Sequence, residues 1–198
     1  MAHFQTKFQI LFLLLGVLLI VVLSYGFQRA NQLKTLEQIE PNALSQFKGY
    51  KIYKQGKSLT GVQILGPDGN LFDLGNVGEH MILNVWATWC TPCVKELPAL
   101  ATLNKALSEQ AGWRVIAVSI DSKQNLNKVS SFVTKFNVEG IANYHDFNAE
   151  LQKTLNVGVL PTTYIVNRSG VILYEIKGYS TWNTPELFEF LKLVQGVK

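Results

Sequence analysis

Charge and cysteine are both scarce in this 198-residue chain. Charged side chains make up 16% of the residues, and the formal net charge is +4. The chain has two cysteines and three histidines, and no second cysteine pair accompanies the first. A structural zinc site needs four ligands, so this composition argues against one. Two cysteines form at most one disulfide within the chain, so a framework of several disulfides is excluded.

Clustered basic residues and clustered metal ligands are also lacking. No basic run and no alternation of basic with aromatic residues occurs, so no nucleic-acid partner is expected. His3, His80 and His145 are isolated from one another, and no metal site is predicted. His80 comes just before an apolar run, and we expect it at the surface.

No charged side chain occurs from Phe8 to Gln28, and this stretch is long enough to cross a bilayer as a helix. A cleaved signal peptide is the alternative, because Ser24-Tyr25-Gly26 is a small-x-small triplet. The length of the apolar span favours an uncleaved anchor. The predicted organisation is a membrane anchor over 1–28, a linker over 29–49 and a folded domain over 50–198.

The linker has apolar residues at helical spacing. Leu33, Leu36 and Ile39 precede Pro41, which fits a short amphipathic helix. We interpret the segment as a tether that holds the folded domain away from the membrane. Basic residues flank the anchor almost equally, so the positive-inside rule does not decide its orientation.

The chemistry of the chain centres on Cys90 and Cys93. The apolar run Met81–Trp86 precedes them as a buried strand, and the helix-compatible segment Val94–Leu97 follows. Cys90 therefore lies where a strand passes into a helix, and the helix N-terminus favours a thiolate there. We interpret Cys90 as the exposed attacking thiol and Cys93 as the resolving thiol.

A purely structural role for this cysteine pair is the alternative. A disulfide that closes over two residues removes little entropy from the unfolded chain, so it stabilises poorly. A pair that closes and reopens by thiol exchange explains the spacing better. The motif therefore predicts redox chemistry.

The remaining pattern predicts strands that alternate with helices. Gly66-Pro67-Asp68-Gly69 is typical of a hairpin turn, and Thr184-Pro185 is typical of a helix start. Such alternation indicates an α/β domain with crossover connections. The predicted strands cover 50–53, 62–65, 70–74, 113–121, 162–166 and 171–176, and the predicted helices lie near 97–107, 126–136, 147–156 and 185–194.

The segment Trp86–Pro98 resembles the active-site segment of thioredoxin-fold proteins. The branch it resembles is the membrane-anchored TlpA/ResA-type thiol–disulfide oxidoreductases of bacteria, from about Gly61 to the C-terminus. The resemblance implies an α/β thioredoxin-like fold with an N-terminal β-hairpin extension, preceded here by one transmembrane helix. It also implies a soluble domain on the periplasmic or exterior side of the cell membrane.

The resemblance implies roles for residues around the cysteines. Leu160–Pro161 matches the cis-proline position, where the Leu160 backbone stays free to pair with a bound client. Trp89 is expected to shield the disulfide, and Trp86 to lie in the core. The residues implied to contact a client are Trp89, Thr91, Pro92, Leu160 and Pro161.

Glu96 lies one helical turn after Cys93, and the resemblance suggests that it relays a proton. A carboxyl group buried near the thiols would have a raised pKa. The alternative is a surface charge paired with Lys95. Asn84 stands where cytoplasmic thioredoxins carry a buried Asp, a departure that fits the TlpA/ResA branch.

The implied activity is that of an anchored, moderately reducing protein disulfide reductase. Its redox centre is the Cys90–Cys93 disulfide, and no other cofactor is expected. The implied partners are a disulfide-bearing client, with apocytochrome c as a candidate, and a membrane electron donor that reduces the pair again.

Two other functions remain open on the same fold. Two thiolates bind Cu(I), so a copper-binding or metal-centre assembly protein is one alternative. Sco-type copper proteins, however, use a Cys-x-x-x-Cys spacing with a distal His. A peroxiredoxin-type peroxidase is the other, but the proline of its usual Pro-x-x-x-Thr-x-x-Cys pattern is absent before Cys90.

Overall fold

The computed structural model describes residues 2–47, 49–109 and 112–197. The strands of the described chain are β1 Tyr50–Ser58, β2 Gln63–Leu65, β3 Leu71–Asp73, β4 His80–Trp86, β5 Trp113–Ser119, β6 Tyr144–His145, β7 Thr162–Val166 and β8 Val171–Lys177. Its α-helices are α1 Ala2–Ser45, α2 Thr91–Ser108, α3 Leu126–Lys135, α4 Glu139–Ala142, α5 Glu150–Leu155 and α6 Pro185–Val197.

The strands form one eight-stranded sheet in the order β1-β8-β7-β4-β5-β6-β2-β3. β5 is parallel to β4 and to β6, and the other neighbours are antiparallel. The connection from β4 to β5 crosses over through α2, which is how parallel neighbours are joined. The predicted α/β architecture with crossover connections is confirmed.

Strand β4 is buried along its whole length and divides two hydrophobic clusters. Successive side chains point to opposite faces of a sheet. Leu83 and its odd-numbered neighbours pack in the cluster that includes the β2–β3 hairpin and α5. Ile82 and Trp86 pack in the cluster that includes α2 and α6. The same alternation places Asn84 on the α2 side, inside an otherwise apolar layer.

The predicted hairpin and the predicted last helix are both confirmed. β2 and β3 pair antiparallel, and the Gly66 N–H donates to the Asn70 carbonyl across the turn. Thr184 Oγ1 accepts from the Leu187 N–H at 3.3 Å, directly ahead of Pro185 at the start of α6. The turn and cap residues thus act locally, as their side-chain chemistry predicts.

Helix α1 is continuous from Ala2 to Ser45. One stretch of it, within Leu11–Ser45, is long and apolar enough to cross a membrane by length and composition. The large apolar side chains between Leu11 and Phe27 are all more than half exposed. A helix that presents this much apolar surface suggests a membrane anchor.

The C-terminal part of α1 differs from the expected free tether. Leu36, Ala43 and Leu44 are buried in the cluster that includes α6, and Phe47 joins them just after the helix ends. The physical reason is the apolar spacing itself, because one face of the helix finds an apolar partner in α6. One face of the segment between Leu36 and Phe47 therefore packs on the folded domain, while the boundaries at 28 and 49 stay predictions.

Candidate active site

The cysteine pair lies at the junction between β4 and α2. Cys90 is the N-cap of α2, and its Sγ accepts a hydrogen bond from the Cys93 N–H at 3.3 Å. Cys90 and Cys93 form a disulfide with 5.3 Å between their Cα atoms. On reduction, the same N–H and the helix dipole would stabilise negative charge on the Cys90 sulfur.

The two sulfurs differ in exposure less than expected. Cys93 is fully buried, and Cys90 is only 6% exposed, although it was predicted as an exposed thiol. Its burial follows from its packing in the apolar cluster below α2. The pair still has one accessible member, and that member is Cys90. The attacking and resolving roles stay predictions.

Glu96 is buried on the inner face of α2 and is not the surface charge considered as the alternative. Its side chain is 1% exposed. Oε1 accepts from Asn84 Nδ2 at 2.7 Å, and Oε2 accepts from the Ser180 N–H at 3.1 Å. The Trp182 indole also favours the charged form, although its N–H forms no hydrogen bond of good geometry.

Burial raises the pKa of Glu96 to about 7, from an ordinary value of 4.5. The hydrogen bonds from Ser180 and Asn84 oppose this shift, but removal from water outweighs them. A carboxyl group with this pKa gains and loses a proton near neutral pH. That property suits a group that exchanges protons with a thiol.

Asn84 connects Glu96 to the neighbouring strand. Its amide Nδ2 also donates to Thr163 Oγ1 at 2.9 Å, because Thr163 lies opposite Asn84 in the β4–β7 register. Asn84 Oδ1 is buried without a hydrogen-bond partner among the described side chains. A protonated Glu96 therefore has a nearby acceptor if the amide turns over.

The Leu160–Pro161 peptide bond is cis, as the resemblance implied. Pro161 directly precedes β7, whose first residue, Thr162, pairs with Val85 near the end of β4. The register therefore brings the cis-proline loop to the sheet end where the cysteines lie. The Pro161 carbonyl accepts from the Gly178 N–H at 2.8 Å, which joins this loop to the residues after β8.

Apolar side chains are exposed around the cysteines. Trp89 is 65% exposed, and its role as a shield of the disulfide stays a prediction. Val159 beside the cis-proline and Tyr179 after β8 are about half exposed. Thr91 and Pro92 are exposed as well, and Leu160 is partly buried. Sequence reasoning missed Val159 and Tyr179, which carry no motif of their own.

Sequence reasoning also missed a buried carboxylate that contacts the segment just before Cys90. Asp121 is buried two residues after the end of β5, and its carboxylate accepts from the Thr88 N–H at 2.8 Å and from Thr88 Oγ1 at 2.6 Å. Ser119 Oγ donates to the same carboxylate at 2.8 Å. Asp121 thus fixes the segment that leads into Cys90. Two features of the sequence could have indicated this contact. Asp121 ends the predicted strand 113–121, and Thr88 lies in the cysteine motif.

His80 is not where the sequence suggested. His80 was expected at the surface, but it is 1% exposed and its ring lies 4.9 Å from the Trp113 ring. Burial and the positive charge of Arg168 lower the pKa of His80 to about 4. Its position at the start of β4, opposite Trp113 in β5, explains the burial. Within the described residues, no group of three or more metal-ligating side chains is arranged to hold a metal ion.

Comparison with known proteins identifies the class. Residues 54–191 match the Redoxin family. ResA, a thiol–disulfide oxidoreductase of Bacillus cereus (strain ATCC 10987), is 31% identical over 140 residues, which is 70% of this chain and 78% of that protein. ResA of Bacillus subtilis (strain 168) is 25% identical over 188 residues, which is 93% of both chains.

Solved structures give the same fold. StoA from Bacillus subtilis aligns with a TM-score of 0.53 at 23% identity, over 74% of this chain and 98% of that one. A thioredoxin-like protein from Porphyromonas gingivalis aligns with a TM-score of 0.54 at 30% identity, over 74% and 94% of the two chains. The predicted thioredoxin-like fold is confirmed.

The chain belongs to the Redoxin family and, within it, to the ResA-type thiol–disulfide oxidoreductases. The predicted enzyme class is likewise confirmed. The redox centre is the Cys90–Cys93 disulfide.

Proposed function

We propose that this protein reduces disulfides in client proteins outside the cytoplasm, while α1 holds it at the cell membrane. The observation that carries the proposal is the arrangement of three residues. Cys90 lies at the N-terminus of α2, Cys93 is buried in the first turn, and Glu96 is buried one turn further on. Two electrons and two protons pass from the Cys90–Cys93 dithiol to the client.

In the first step, the Cys90 thiolate attacks one sulfur of the client disulfide. The client S–S bond breaks, a mixed disulfide forms between Cys90 and the client, and the released client thiolate takes up a proton. The hydrogen bond from the Cys93 N–H supports this role for Cys90, because it stabilises a thiolate in the reduced form.

In the second step, Cys93 gives its proton to the Glu96 carboxylate and attacks Cys90 Sγ. The mixed disulfide breaks, the second client thiolate leaves, and the Cys90–Cys93 disulfide forms. Glu96 passes its proton to the leaving thiolate or to water. The position of Glu96 one turn from Cys93, together with a pKa of about 7, supports a proton relay.

Client contact involves the exposed surface around Cys90. Trp89, Thr91 and Pro92 form one side of it, and the partly buried Leu160, next to the buried Pro161, forms the other. The exposed apolar side chains of Trp89, Val159 and Tyr179 support this assignment. Such a surface suits an unfolded client, because an extended chain presents apolar side chains and free backbone groups.

The resemblance to ResA-type proteins favours apocytochrome c as the client. We further propose that a membrane protein with its own dithiol returns two electrons to the Cys90–Cys93 disulfide. The soluble domain then faces the periplasm or the equivalent exterior space. A moderately reducing potential is expected.

Trapping with Cys93→Ala tests the proposal. Without the resolving thiol, Cys90 should remain in mixed disulfides with its clients, which mass spectrometry then identifies in membranes. Cys90→Ala, which leaves only the buried Cys93, is the matched control and should trap nothing. Recovery of apocytochrome c supports the proposed client. Absence of adducts, with Cys90 shown to react with an alkylating agent, would overturn the exchange mechanism.

A further inference from the structure

The loop after β8 covers Glu96, and regular secondary structure does not hold it. Residues 179–184 form no helix or strand. The loop nevertheless supplies the Ser180 N–H and the Trp182 indole that face the Glu96 carboxylate, and Trp182 is fully buried. The position of this loop therefore depends on the side chains that pack against it.

Gln46 and Phe47, which directly follow α1, supply such side chains. The Phe47 ring lies 5.4 Å from the Trp182 ring, and Thr184 Oγ1 donates to Gln46 Oε1 at 3.1 Å. Phe47 and Trp182 lie in one apolar cluster with Leu97 of α2, the residue next to Glu96. One aromatic contact and one hydrogen bond thus join the end of α1 to the loop that covers Glu96.

The remainder of the α1 contact fixes the helix on the same body. Leu36, Ala43 and Leu44 are buried among the residues that pack on α6. Glu40 of α1 lies close enough to the Tyr174 hydroxyl in β8 to help raise the pKa of Tyr174. The end of α1 is therefore packed on the same body as the loop.

We propose that Gln46 and Phe47 are positioning residues of the redox site, which hold the 179–184 loop over Glu96. The membrane helix would then be part of the support of the active site and not only an anchor. The importance of these residues for the reaction rests on the proton-relay role proposed for Glu96. The contacts of Gln46 and Phe47 with the loop are independent of that role.

The polar groups that face Glu96 belong to β4 and to the 179–184 loop. They are Asn84 on β4, and the Ser180 N–H and the Trp182 indole on the loop. No charged side chain contributes to the pKa of Glu96, which is governed by removal from water. If the loop moves away, water reaches the carboxyl group and its pKa falls toward 4.5.

The test is a ¹³C NMR titration of the Glu96 carboxyl carbon in the full chain, oxidised and held in lipid nanodiscs. Cysteines joined in a disulfide do not titrate, so the carboxyl signal is free of thiol coupling. Glu96→Gln assigns the signal. In Phe47→Ala the midpoint should fall by roughly one pH unit or more, and in Gln46→Ala by less, since water then reaches the carboxyl group.

Two matched variants separate positioning from general stability. Phe47→Leu keeps an apolar side chain against Trp182 and should restore most of the wild-type midpoint. Leu36→Ala empties a buried site on the same helix, roughly 14 Å from Ser45 at 1.5 Å per residue, and should lower stability without moving the midpoint. Gln46→Ala serves if Phe47→Ala does not fold.

An unchanged midpoint in folded Phe47→Ala and Gln46→Ala would overturn the inference. An equal shift in Leu36→Ala would also overturn it, because the effect would then be general loosening. The proposed function fails in a different way. If Glu96→Gln leaves the pH profile of mixed-disulfide resolution unchanged, Glu96 is not the relay, and the NMR titration still decides the role of the α1 end.

Discussion

The two ends of strand β4 each bury a titratable side chain, and the two respond in opposite ways. Near the cysteine end, burial raises the pKa of Glu96 to about 7. At the other end, burial and Arg168 lower the pKa of His80 to about 4. Both shifts favour the neutral form, yet only Glu96 ends with a pKa near neutral pH. Burial alone therefore does not mark a proton-exchange site; the position of the shifted pKa does.

The surroundings differ as well. Three polar groups face the Glu96 carboxylate, and exposed apolar side chains surround the cysteine pair. His80 packs against Trp113, and its Nδ1 is buried without a hydrogen-bond partner among the described side chains. The cysteine end combines polar groups around a titratable carboxyl group with an exposed apolar surface. The other end is packed as ordinary core.

Glu96→Gln is expected to have the largest effect on the pH dependence of stability. In wild type, the unfolded chain releases the Glu96 proton near 4.5 and the folded chain keeps it until about 7, so this group's contribution falls as pH rises through that window. The loss amounts to about 3 kcal/mol, at about 1.4 kcal/mol per pH unit. Denaturant unfolding of the oxidised protein in detergent, at pH 4.5 and pH 8, measures it.

Glu96→Gln has no proton to lose, so its stability should decline less than that of wild type between these pH values. If the free energy of unfolding changed with pH equally in wild type and variant, the pKa of Glu96 would not be raised in the folded chain. In that case the contrast between the two ends of β4 would fail at its main point.

His80→Phe should change the pH dependence in the opposite direction. The unfolded chain binds a proton on His80 below about 6.5, while the folded chain excludes it down to about 4. The contribution of His80 to stability therefore falls as pH drops through this window, by at most about 3 kcal/mol. Phe keeps a ring against Trp113, so the variant should lose less stability than wild type on acidification from pH 7 to pH 4.

The same unfolding measurement at pH 8 separates structure from titration. There His80 is neutral, and replacing a buried nitrogen that lacks a partner should change stability by only about 1 kcal/mol. The rate of client reduction at neutral pH should equal that of wild type. A large loss of activity would show that the two ends of β4 are coupled.

The difference between the two ends also explains what the sequence could predict. The cysteine–helix junction, the hairpin turn and the N-cap of α6 depend on residues close in the chain, and they were predicted. The burial of Glu96 and its partner Ser180 depends on a contact across 84 residues, and the Gln46–Thr184 bond spans 138. Local patterns carry no trace of such pairs. His80 was misplaced because its burial comes from Trp113 in the neighbouring strand.

Asp121→Asn sharpens the comparison with a smaller expected effect. The Asp121 carboxylate accepts two hydrogen bonds from Thr88 and one from Ser119. An amide offers one oxygen and one NH₂ group, so at least one of these donors loses its acceptor in a buried place. A lost hydrogen bond to a charged group costs about 2 kcal/mol. Thermal unfolding at neutral pH should show this loss.

The comparison with the other end decides what the loss means. His80→Phe removes a side chain whose Nδ1 has no partner, whereas Asp121→Asn disturbs a group that holds the residues leading into Cys90. Ser119→Ala is the milder control, because it removes the hydroxyl that donates to the Asp121 carboxylate and accepts from the Asp121 N–H, but leaves both Thr88 bonds. Asp121→Asn should therefore cost more than either variant at neutral pH and slow the reaction of reduced Cys90 with iodoacetamide or a model disulfide. Asp121→Asn could also lower the stability by no more than His80→Phe does. In that case the hydrogen bonds of Asp121 would not distinguish the cysteine end from the rest of the core.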